Sequence, residues 1–322
     1  MTAFRRGITG RCCSRPRCRR TRRDIAGEYL QAHQDGKQTL VVSPGNDERR
    51  EINARIRQLL VEHGLVKDRG HSQEILVGRK LTPAQISTAD SYQPGDVILF
   101  RGTRDQQKRG LQKNSYATVE VVDRRGNSLT LRTQDHRQIQ AYPARWGARD
   151  AEVFSREHRT LAVGDSVQFR RPDKKHRIAN GQFATLAELT AGGARFHFDG
   201  KQPRDIMLPF PDMKHLDHGY CSTTYSAQGA TVETYLVNAD SMRSPRLINR
   251  AGWYVAISRP RSDVRIFTDD AQALRRAVSR DPKKAIALEA IKLRQTQELK
   301  PEQQTTSLQQ RQSQKPSLSM GI

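Results

Sequence analysis

The sequence predicts an α/β protein whose parallel sheet is interrupted by a β-rich insert. Three observations favour this class. A strand, a turn and a helix follow one another in the first quarter of the chain, the pattern changes to short strands from about residue 91, and α/β patterning returns at Gly219. A chain of 322 residues is long enough for roughly two domains with buried cores.

The first α/β stretch begins at Asp24. Apolar residues at helical spacing predict a helix here, and Thr39–Ser43 reads as a short buried strand. Pro44-Gly45 then turns the chain, and Asn46 can cap the next helix. The apolar positions of the two helices are Ile25, Ala26, Tyr29 and Leu30, then Ile52, Ile56, Leu59 and Leu60.

Short strands separated by turns fill the middle of the chain. Two of them open with the same Gly-Asp pair, at Gly95-Asp96 and Gly164-Asp165, and residues 117–132 read as a hairpin. This pattern predicts either two small barrels of SH3 or OB type or one longer β domain, and strand spacing does not separate the two. The aromatic candidates for stacking on bases are Tyr92, Phe100, Tyr116, Phe169 and Phe183, although most are expected to fill small cores.

From Gly219 the sequence predicts a strand that leads into Gln228-Gly229, further strands at 234–238 and 263–267, and a helix over 246–258. Leu247, Ile248, Ala251, Tyr254 and Val255 are expected on the inner side of that helix. Two alanine-rich helices follow, near 270–279 and 281–293.

The two ends differ from the rest. Residues 1–23 are rich in Arg, Pro and Cys without periodicity, and residues 294–322 are rich in Gln, Ser, Pro and Lys, so both are expected to be disordered. The basic first segment has two interpretations: an arm that contacts phosphates, or a disordered tail or translated upstream frame of a truncated gene. The second is favoured because the segment shows no structural pattern.

The formal net charge of +22 is the strongest feature of the composition. Such an excess indicates a polyanionic partner, most often nucleic acid, against the alternative of a merely basic protein. No apolar run approaches the roughly 20 residues of a membrane span. The four cysteines contain no C-x-x-C pair, so zinc spacing is absent, no metal site is predicted, and a reducing cytoplasm is the simplest location.

Two short segments carry the chemistry. Residues 219–231 read GYCSTTYSAQGAT and residues 253–261 read WYVAISRPR. In this order they resemble motifs V and VI of superfamily-1 helicases, and they are called the motif V segment and the motif VI segment below. By this resemblance the hydroxyls of Thr223 and Thr224 and the ring of Tyr225 contact DNA, with Tyr225 standing where the family carries His. Gln228 and Gly229 lie on the nucleotide side, and the alternative for this segment is an ordinary polar turn.

Arg259 is the candidate catalytic residue of the motif VI segment, with Gln228 as its partner in the site. An arginine at this position resembles the finger that reaches a γ-phosphate across a cleft, which contributes about 10³ to 10⁵ in rate. The alternative is a surface arginine of a basic protein.

A third resemblance lies upstream. The strand at Thr39–Ser43 and the following helix are similar to motif IV of RecD-like helicases, which makes Asn53 and Arg57 nucleotide-side candidates one helical turn apart. An exposed amphipathic helix explains the same residues equally well.

The pattern G-x-x-x-x-G-K-[ST] of a phosphate-binding loop does not occur in the sequence. Motifs I to III of a helicase are therefore missing. Residues 24–293 resemble the second RecA-like domain of a superfamily-1B helicase, and most closely the conjugative relaxase-helicases of the TraI/TrwC (MobF) class. The resemblance implies that residues 24–90 and 215–293 form the RecA-like domain and that residues 91–214 form SH3-like or 2B-type inserts.

The function expected from this resemblance is that of a C-terminal part of an ATP-dependent 5′-to-3′ helicase of conjugative DNA transfer. Such a part binds single-stranded DNA and holds half of an ATP site. ATP and Mg²⁺ are expected only when a P-loop domain completes the site, and the isolated chain is not expected to hydrolyse ATP. Further implied partners are a first RecA-like or relaxase domain and a secretion-system coupling protein. The alternatives are a non-catalytic DNA-binding or coupling-protein adaptor, and a decayed gene product.

Overall fold

The structure is a computed structural model that describes residues 17–108, 110–147, 150–200, 202–224, 226–227, 232–241, 243, 247–258 and 263–279. The helices are α1 (Arg17–Gln34), α2 (Asn46–Glu62), α3 (Pro83–Ile86), α4 (Arg104–Lys108), α5 (Arg250–Ser258) and α6 (Ala271–Val278). The strands are β1 (Thr39–Ser43), β2 (His71–Gly78), β3 (Val97–Phe100), β4 (Tyr116–Asp123), β5 (Ser128–Thr133), β6 (Gln138–Ala141), β7 (Ala151–Leu161), β8 (Ser166–Phe169), β9 (Phe183–Leu189), β10 (Gly193–Phe198), β11 (Arg204–Pro209), β12 (Leu216–His218), β13 (Cys221–Thr223), β14 (Thr234–Ala239) and β15 (Asp263–Thr268).

A four-stranded parallel sheet in the order β13-β1-β14-β15 forms the α/β part. Successive side chains of a strand point to opposite faces. Val41 of β1 accordingly packs in the core under α1 and α2, whereas Leu40 and Val42 pack in the core that includes Ile248 and Leu274 near α5 and α6. Helices therefore cover both faces of this sheet, and the α/β class predicted from the sequence is confirmed.

The first helix starts earlier than the sequence indicates. α1 begins at Arg17, so residues 17–23 are helical and not part of a disordered segment. Arginine is a good helix former, and this basic turn continues a helix whose apolar residues Ile25, Ala26 and Tyr29 are buried. A search for apolar periodicity overlooks such a polar extension.

The middle of the chain forms two antiparallel sheets. One is six-stranded, in the order β2-β7-β3-β4-β5-β6, and the other is five-stranded, in the order β11-β10-β9-β8-β12. β2 pairs with β7 and β12 pairs with β8, so antiparallel pairing begins at His71 and extends to His218 instead of spanning 91–214. The sequence reading missed both strands because their partners lie far away along the chain.

Each antiparallel sheet has a core of its own, and two buried residues of the six-stranded sheet also pack in the core of the five-stranded one. Tyr92 and Phe100 are buried against Trp146 in the six-stranded unit, and Phe169 is buried among the phenylalanines of the five-stranded unit. These aromatic residues fill cores, as expected for most of the set, while Tyr116 and Phe183 are partly buried. Ile75 and Leu161, from β2 and β7, pack in the core of the five-stranded sheet and thereby join the units.

The repeated Gly-Asp pair builds the same turn twice. Gly95 and Gly164 have φ values of +92° and +97°, in the left-handed region that favours glycine. The carboxylate that follows accepts a backbone N–H from three residues upstream, Gln93 N to Asp96 at 2.8 Å and Ala162 N to Asp165 at 2.7 Å. The two turns introduce β3 and β8, which explains the recurrence seen in the sequence.

The helix that contains most of the motif VI segment, α5, differs from the prediction in extent and orientation. α5 begins at Arg250 and not at residue 246. Tyr254 and Leu247, expected on the inner side, are 69% and 50% exposed. Trp253 and Ile257 pack against the sheet instead. Ile248 is buried as expected, and the side chains of Ala251 and Val255 lie outside the described residues. The predicted helix at 281–293 and the segment 294–322 also lie outside them.

Within the described part of the chain, none of the helices has the length and apolar character needed to cross a bilayer.

Candidate nucleic-acid interface

Parallel pairing brings the carboxyl ends of β1, β13, β14 and β15 to one edge of the sheet. Ligands of open parallel sheets bind at this edge. Thr223 ends β13 there and is in register with Ser43 at the end of β1. A Cβ on Gly219, just before β13, would lie 2.7 Å from the carbonyl carbon of Val167, so only glycine lets the motif V segment pass this close to β8.

The hydroxyl of Thr223 organises the turn that leaves β13. It donates to Ser226 Oγ at 2.7 Å and accepts from the Ser226 N–H at 3.2 Å, while Ala227 N–H bonds to the Thr223 carbonyl at 2.9 Å. Thr224 is half-buried, and its hydroxyl has no hydrogen bond among the described residues. Within the part of the chain that the structure describes, the Thr224 hydroxyl is thus available as a donor to a ligand. Ser226 Oγ, which accepts from Thr223, can donate its own hydrogen onward.

Gln168 of β8 joins the motif V segment to the β insert. Its Nε2 donates to the carbonyls of Gly181 and Ser226, both at 3.1 Å, and its Oε1 accepts from Ser222 Oγ at 3.0 Å. Gln168 is fully buried. The turn after β13 and the hairpin of β8 and β9 are thus held together by one amide.

Asn53 of α2 fixes the position of β13. Its Nδ2 donates to the Cys221 carbonyl at 2.9 Å and its Oδ1 accepts the Cys221 N–H at 2.8 Å, and the residue is buried. β13 is an edge strand, and on its open side the Asn53 amide forms the hydrogen bonds of the Cys221 N–H and C=O that a neighbouring strand would otherwise form. The contacts give Asn53 a positioning role for the motif V segment, and a contact with nucleotide stays a prediction.

Arg57, one turn further along α2, bonds to a carboxylate of the insert. Its Nε lies 3.0 Å from Asp165 Oδ1, which also accepts the Tyr220 hydroxyl at 2.6 Å. Asp165 is completely buried, and burial raises the pKa of Tyr220 well above its ordinary value. Arg57 therefore also ties α2 to the insert, and its assignment to nucleotide stays a prediction.

Asp217 of β12 is the centre of a second buried ion cluster. Arg49 Nη2 lies 2.9 Å from Asp217 Oδ2, and Arg159 Nε lies 3.1 Å from Oδ1. Burial acts to raise the pKa of Asp217, but the charges of Arg49 and Arg159 outweigh it and lower the pKa to about 2. This cluster connects α2, the five-stranded sheet and β7 of the six-stranded sheet.

Four of the predicted site residues lie outside the described residues: Tyr225, Gln228, Gly229 and Arg259. α5 ends at Ser258, immediately before Arg259. Sequence reasoning missed Ser226, Gln168 and Asp217. Ser226 lies inside the motif V segment and could have been found there, whereas the other two act through contacts with distant parts of the chain.

An open cavity of about 720 Å³ lies beside this edge and is lined by Arg22, Arg23, Arg55 and Arg243 around Glu51. Glu51 pairs with Arg22 and with Arg243, the latter at 3.1 Å. The cavity carries a net positive charge and would attract phosphate groups. Among the described residues there is no group of His, Cys, Asp and Glu side chains that could hold a metal ion.

Comparison with known proteins gives two relatives. The chain is 23% identical over 271 residues to the multifunctional conjugation protein TraI of Escherichia coli strain K12, which covers 82% of this chain and 14% of TraI. A second Escherichia coli TraI is 22% identical over 276 residues, covering 84% of this chain and 15% of that protein. The chain is TraI-like. It spans about one seventh of the length of these relatives, and no protein-family model matches it.

The resemblance to the TraI/TrwC class that the motif segments indicated is thus confirmed. Solved structures similar to the TraI-like chain include the Pif1 helicase from Bacteroides in complex with ADP-AlF3 and ssDNA, with 11% identity, a TM-score of 0.26 and coverage of 80% of this chain and 47% of that one. Pif1 helicase from Candida albicans gives 12% identity, a TM-score of 0.28 and coverage of 80% and 57%. TM-scores this low say nothing about the function of the TraI-like chain.

Proposed function

We propose that this chain is a helicase-type module of conjugative DNA transfer that binds single-stranded DNA at the motif V segment and contributes half of an ATP site. The observation that carries the proposal is the position of Thr223 and Thr224 at the carboxyl edge of a parallel sheet, in a chain related to TraI. A free hydroxyl at such an edge suits a phosphate oxygen, and the net charge of +22 suits a polyanion.

The ATP half of the proposal rests on Arg259 and Gln228. Because the sequence has no phosphate-binding loop, the chain cannot cradle the β- and γ-phosphates by itself. A P-loop domain would have to supply that half, with Mg²⁺, and Arg259 would reach its γ-phosphate from the end of α5. With such a domain, the resemblance implies 5′-to-3′ movement along DNA. A coupling protein of the secretion system is a further proposed partner.

Removing one hydroxyl tests the DNA half directly. Thr224→Val keeps the shape of the side chain and deletes the donor, and a hydrogen bond to a charged group contributes about 1.5 to 3 kcal/mol. The affinity for a single-stranded oligonucleotide, measured by fluorescence anisotropy, should fall about tenfold. Tyr225→Ala should weaken binding several-fold through lost stacking.

The matched control is Thr130→Val, which removes a threonine hydroxyl from β5 of the six-stranded sheet. It should leave the affinity unchanged, and all three variants should keep the thermal unfolding midpoint of the wild type. Wild-type affinity in Thr224→Val and Tyr225→Ala would remove the motif V segment from the DNA path. The adaptor function would then take its place, with DNA or a coupling protein bound by the β sheets.

A further inference from the structure

A rigid basic loop stands at the end of the β8–β9 hairpin. Residues 173–178 read DKKHRI and are closed by two backbone hydrogen bonds, Asp173 N–H to the Ile178 carbonyl at 2.9 Å and Ile178 N–H to the Asp173 carbonyl at 2.8 Å. Ile178 is buried in the core of the five-stranded sheet. The four residues between these ends are all basic, and residues 173–178 are called the basic loop below.

The single acid of residues 173–178, Asp173, is hydrogen-bonded within the loop. Asp173 Oδ1 accepts the His176 N–H at 3.2 Å, and Oδ2 lies 2.7 Å from His176 Nδ1. Asp173 therefore pairs with His176, and its two contacts stabilise the shape of the loop. Lys175 lies 3.3 Å from Asp212, but Lys174 is exposed and has no ion pair among the described residues.

Arg177 is held in a costly conformation. Its φ of +56° is uncommon for a residue with a side chain, and such strain persists where the surroundings fix it. Arg204 Nη2 donates to the Arg177 carbonyl at 2.6 Å and brings a further guanidinium to this end of the hairpin. Lys174 and Arg177 are therefore both exposed to solvent on a loop whose shape is fixed by hydrogen bonds.

The hairpin that carries the basic loop is joined to the motif V segment. Gln168 bonds to both Gly181 and Ser226, and the ideal Cβ position of Gly181 lies 3.4 Å from the Ser226 carbonyl oxygen. From Gly181 back to Arg177 the chain can extend at most about 14 Å. A strand of a few nucleotides that touches Thr224 is therefore long enough to reach the basic loop.

We propose that the basic loop is a second phosphate-binding site, at which Lys174 and Arg177 hold the backbone of the same single strand that contacts the motif V segment. This inference rests on the proposed function. Contacts of lysine and arginine with backbone phosphates carry no sequence information, so we expect the site to have no sequence preference. Gln168 is a positioning residue that keeps the two contacts in a fixed relation.

The test compares Lys174→Ala/Arg177→Asn with the wild-type full chain on oligothymidylates of roughly 2 and 20 nucleotides, of which only the longer can occupy both contacts. Asparagine tolerates positive φ, so the loop keeps its shape. The variant should bind the longer oligonucleotide about tenfold more weakly, and the slope of log affinity against log salt should lose roughly 1.4, or about 0.7 per lost single-strand phosphate contact. Binding of the short oligonucleotide should not change.

The matched control is Arg124→Ala/Arg125→Ala, which removes two charges from the exposed turn between β4 and β5 and should leave both affinities unchanged. Lys174→Glu alone should also weaken binding of the long oligonucleotide, because it places a negative charge at the proposed phosphate site. Lys174 is exposed, so this single change should not disturb folding and gives an independent test if the double variant misfolds. Equal loss at both lengths, or no loss, would overturn the proposal while leaving the proposed function intact. Absence of binding by the wild type would overturn both. Tight binding of an oligoglutamate peptide, lost in the same variant, would assign the loop to acidic protein surfaces instead.

Discussion

Asp217→Asn should lower the free energy of unfolding by about 3 to 5 kcal/mol, the range for breaking a buried ion pair. Both carboxylate oxygens accept hydrogen bonds, from Arg49 and from Arg159, and Oδ1 also accepts the His218 N–H at 3.0 Å. An amide of the same size must turn its NH₂ group toward a donor. Arg49 is 4% exposed and would be left with an uncompensated charge.

Urea unfolding measures this loss, and Asp212→Asn is the matched control. Asp212 pairs with Lys175 at the surface, where ion pairs contribute about 0 to 1 kcal/mol. A double replacement, Arg49→Met with Asp217→Leu, should recover much of the stability because it removes the buried pair together, while Arg159 keeps its ion pair with Glu157. A loss below 1 kcal/mol in Asp217→Asn would mean that the cluster does not hold α2 to the sheets.

The same carboxylate makes part of the stability of the fold dependent on pH. The pKa of Asp217 is lowered from 3.8 to about 2 in the folded state, so its stabilising contribution is fully present above pH 3.8. The contribution is lost as the pH falls from there toward 2. The difference in stability between the wild type and Asp217→Asn should therefore shrink across that window.

The largest expected effect on activity is that of Arg259→Ala. When the chain is fused to a P-loop-containing RecA-like domain, this change should reduce DNA-stimulated ATP hydrolysis by about 10³ or more, the scale of other arginine fingers. Affinity for single-stranded DNA should be nearly unchanged, because the target of Arg259 is nucleotide. Arg259→Lys should rescue poorly, since one ammonium group does not reproduce the planar guanidinium.

The control for Arg259 is Arg261→Ala, which removes an arginine from the same segment. It should retain most of the hydrolysis. Wild-type turnover in Arg259→Ala would show that the motif VI assignment is wrong and would favour the adaptor function.

The sequence was most informative where the signal is local. β1, β3, β5, β14 and β15 lie where alternating or continuous apolar runs predicted strands, because such runs bury their own side chains. The Gly-Asp pairs also had a local cause, a left-handed glycine followed by a capping carboxylate. The resemblance to the TraI/TrwC class depended on two short segments whose order is visible in any reading of the chain.

The features that could not be predicted are those that depend on contacts between residues far apart along the chain. β7 pairs with both β2 and β3, and its charged alternation, AEVFSREHRTL, reads as a surface loop without those partners. Arg49 and Asp217 are 168 residues apart, as are Asn53 and Cys221, so nothing in the local sequence marks Asn53 as a clamp for β13. Trp253 and Ile257 pack against the core, and Tyr254, on another face of α5, therefore points to solvent. Both faces of this short helix carry apolar residues, so apolar periodicity alone does not show which face is buried.

The central claim is that this chain binds single-stranded DNA through its phosphates. The most direct test is the affinity of the pure chain for an oligothymidylate of roughly 20 nucleotides, measured across a series of salt concentrations with and without ATP. Binding should weaken steeply as salt rises, because each neutralised phosphate releases counterions. It should occur without ATP hydrolysis by the chain alone. An affinity that does not respond to salt, or robust hydrolysis by the pure chain, would contradict the account.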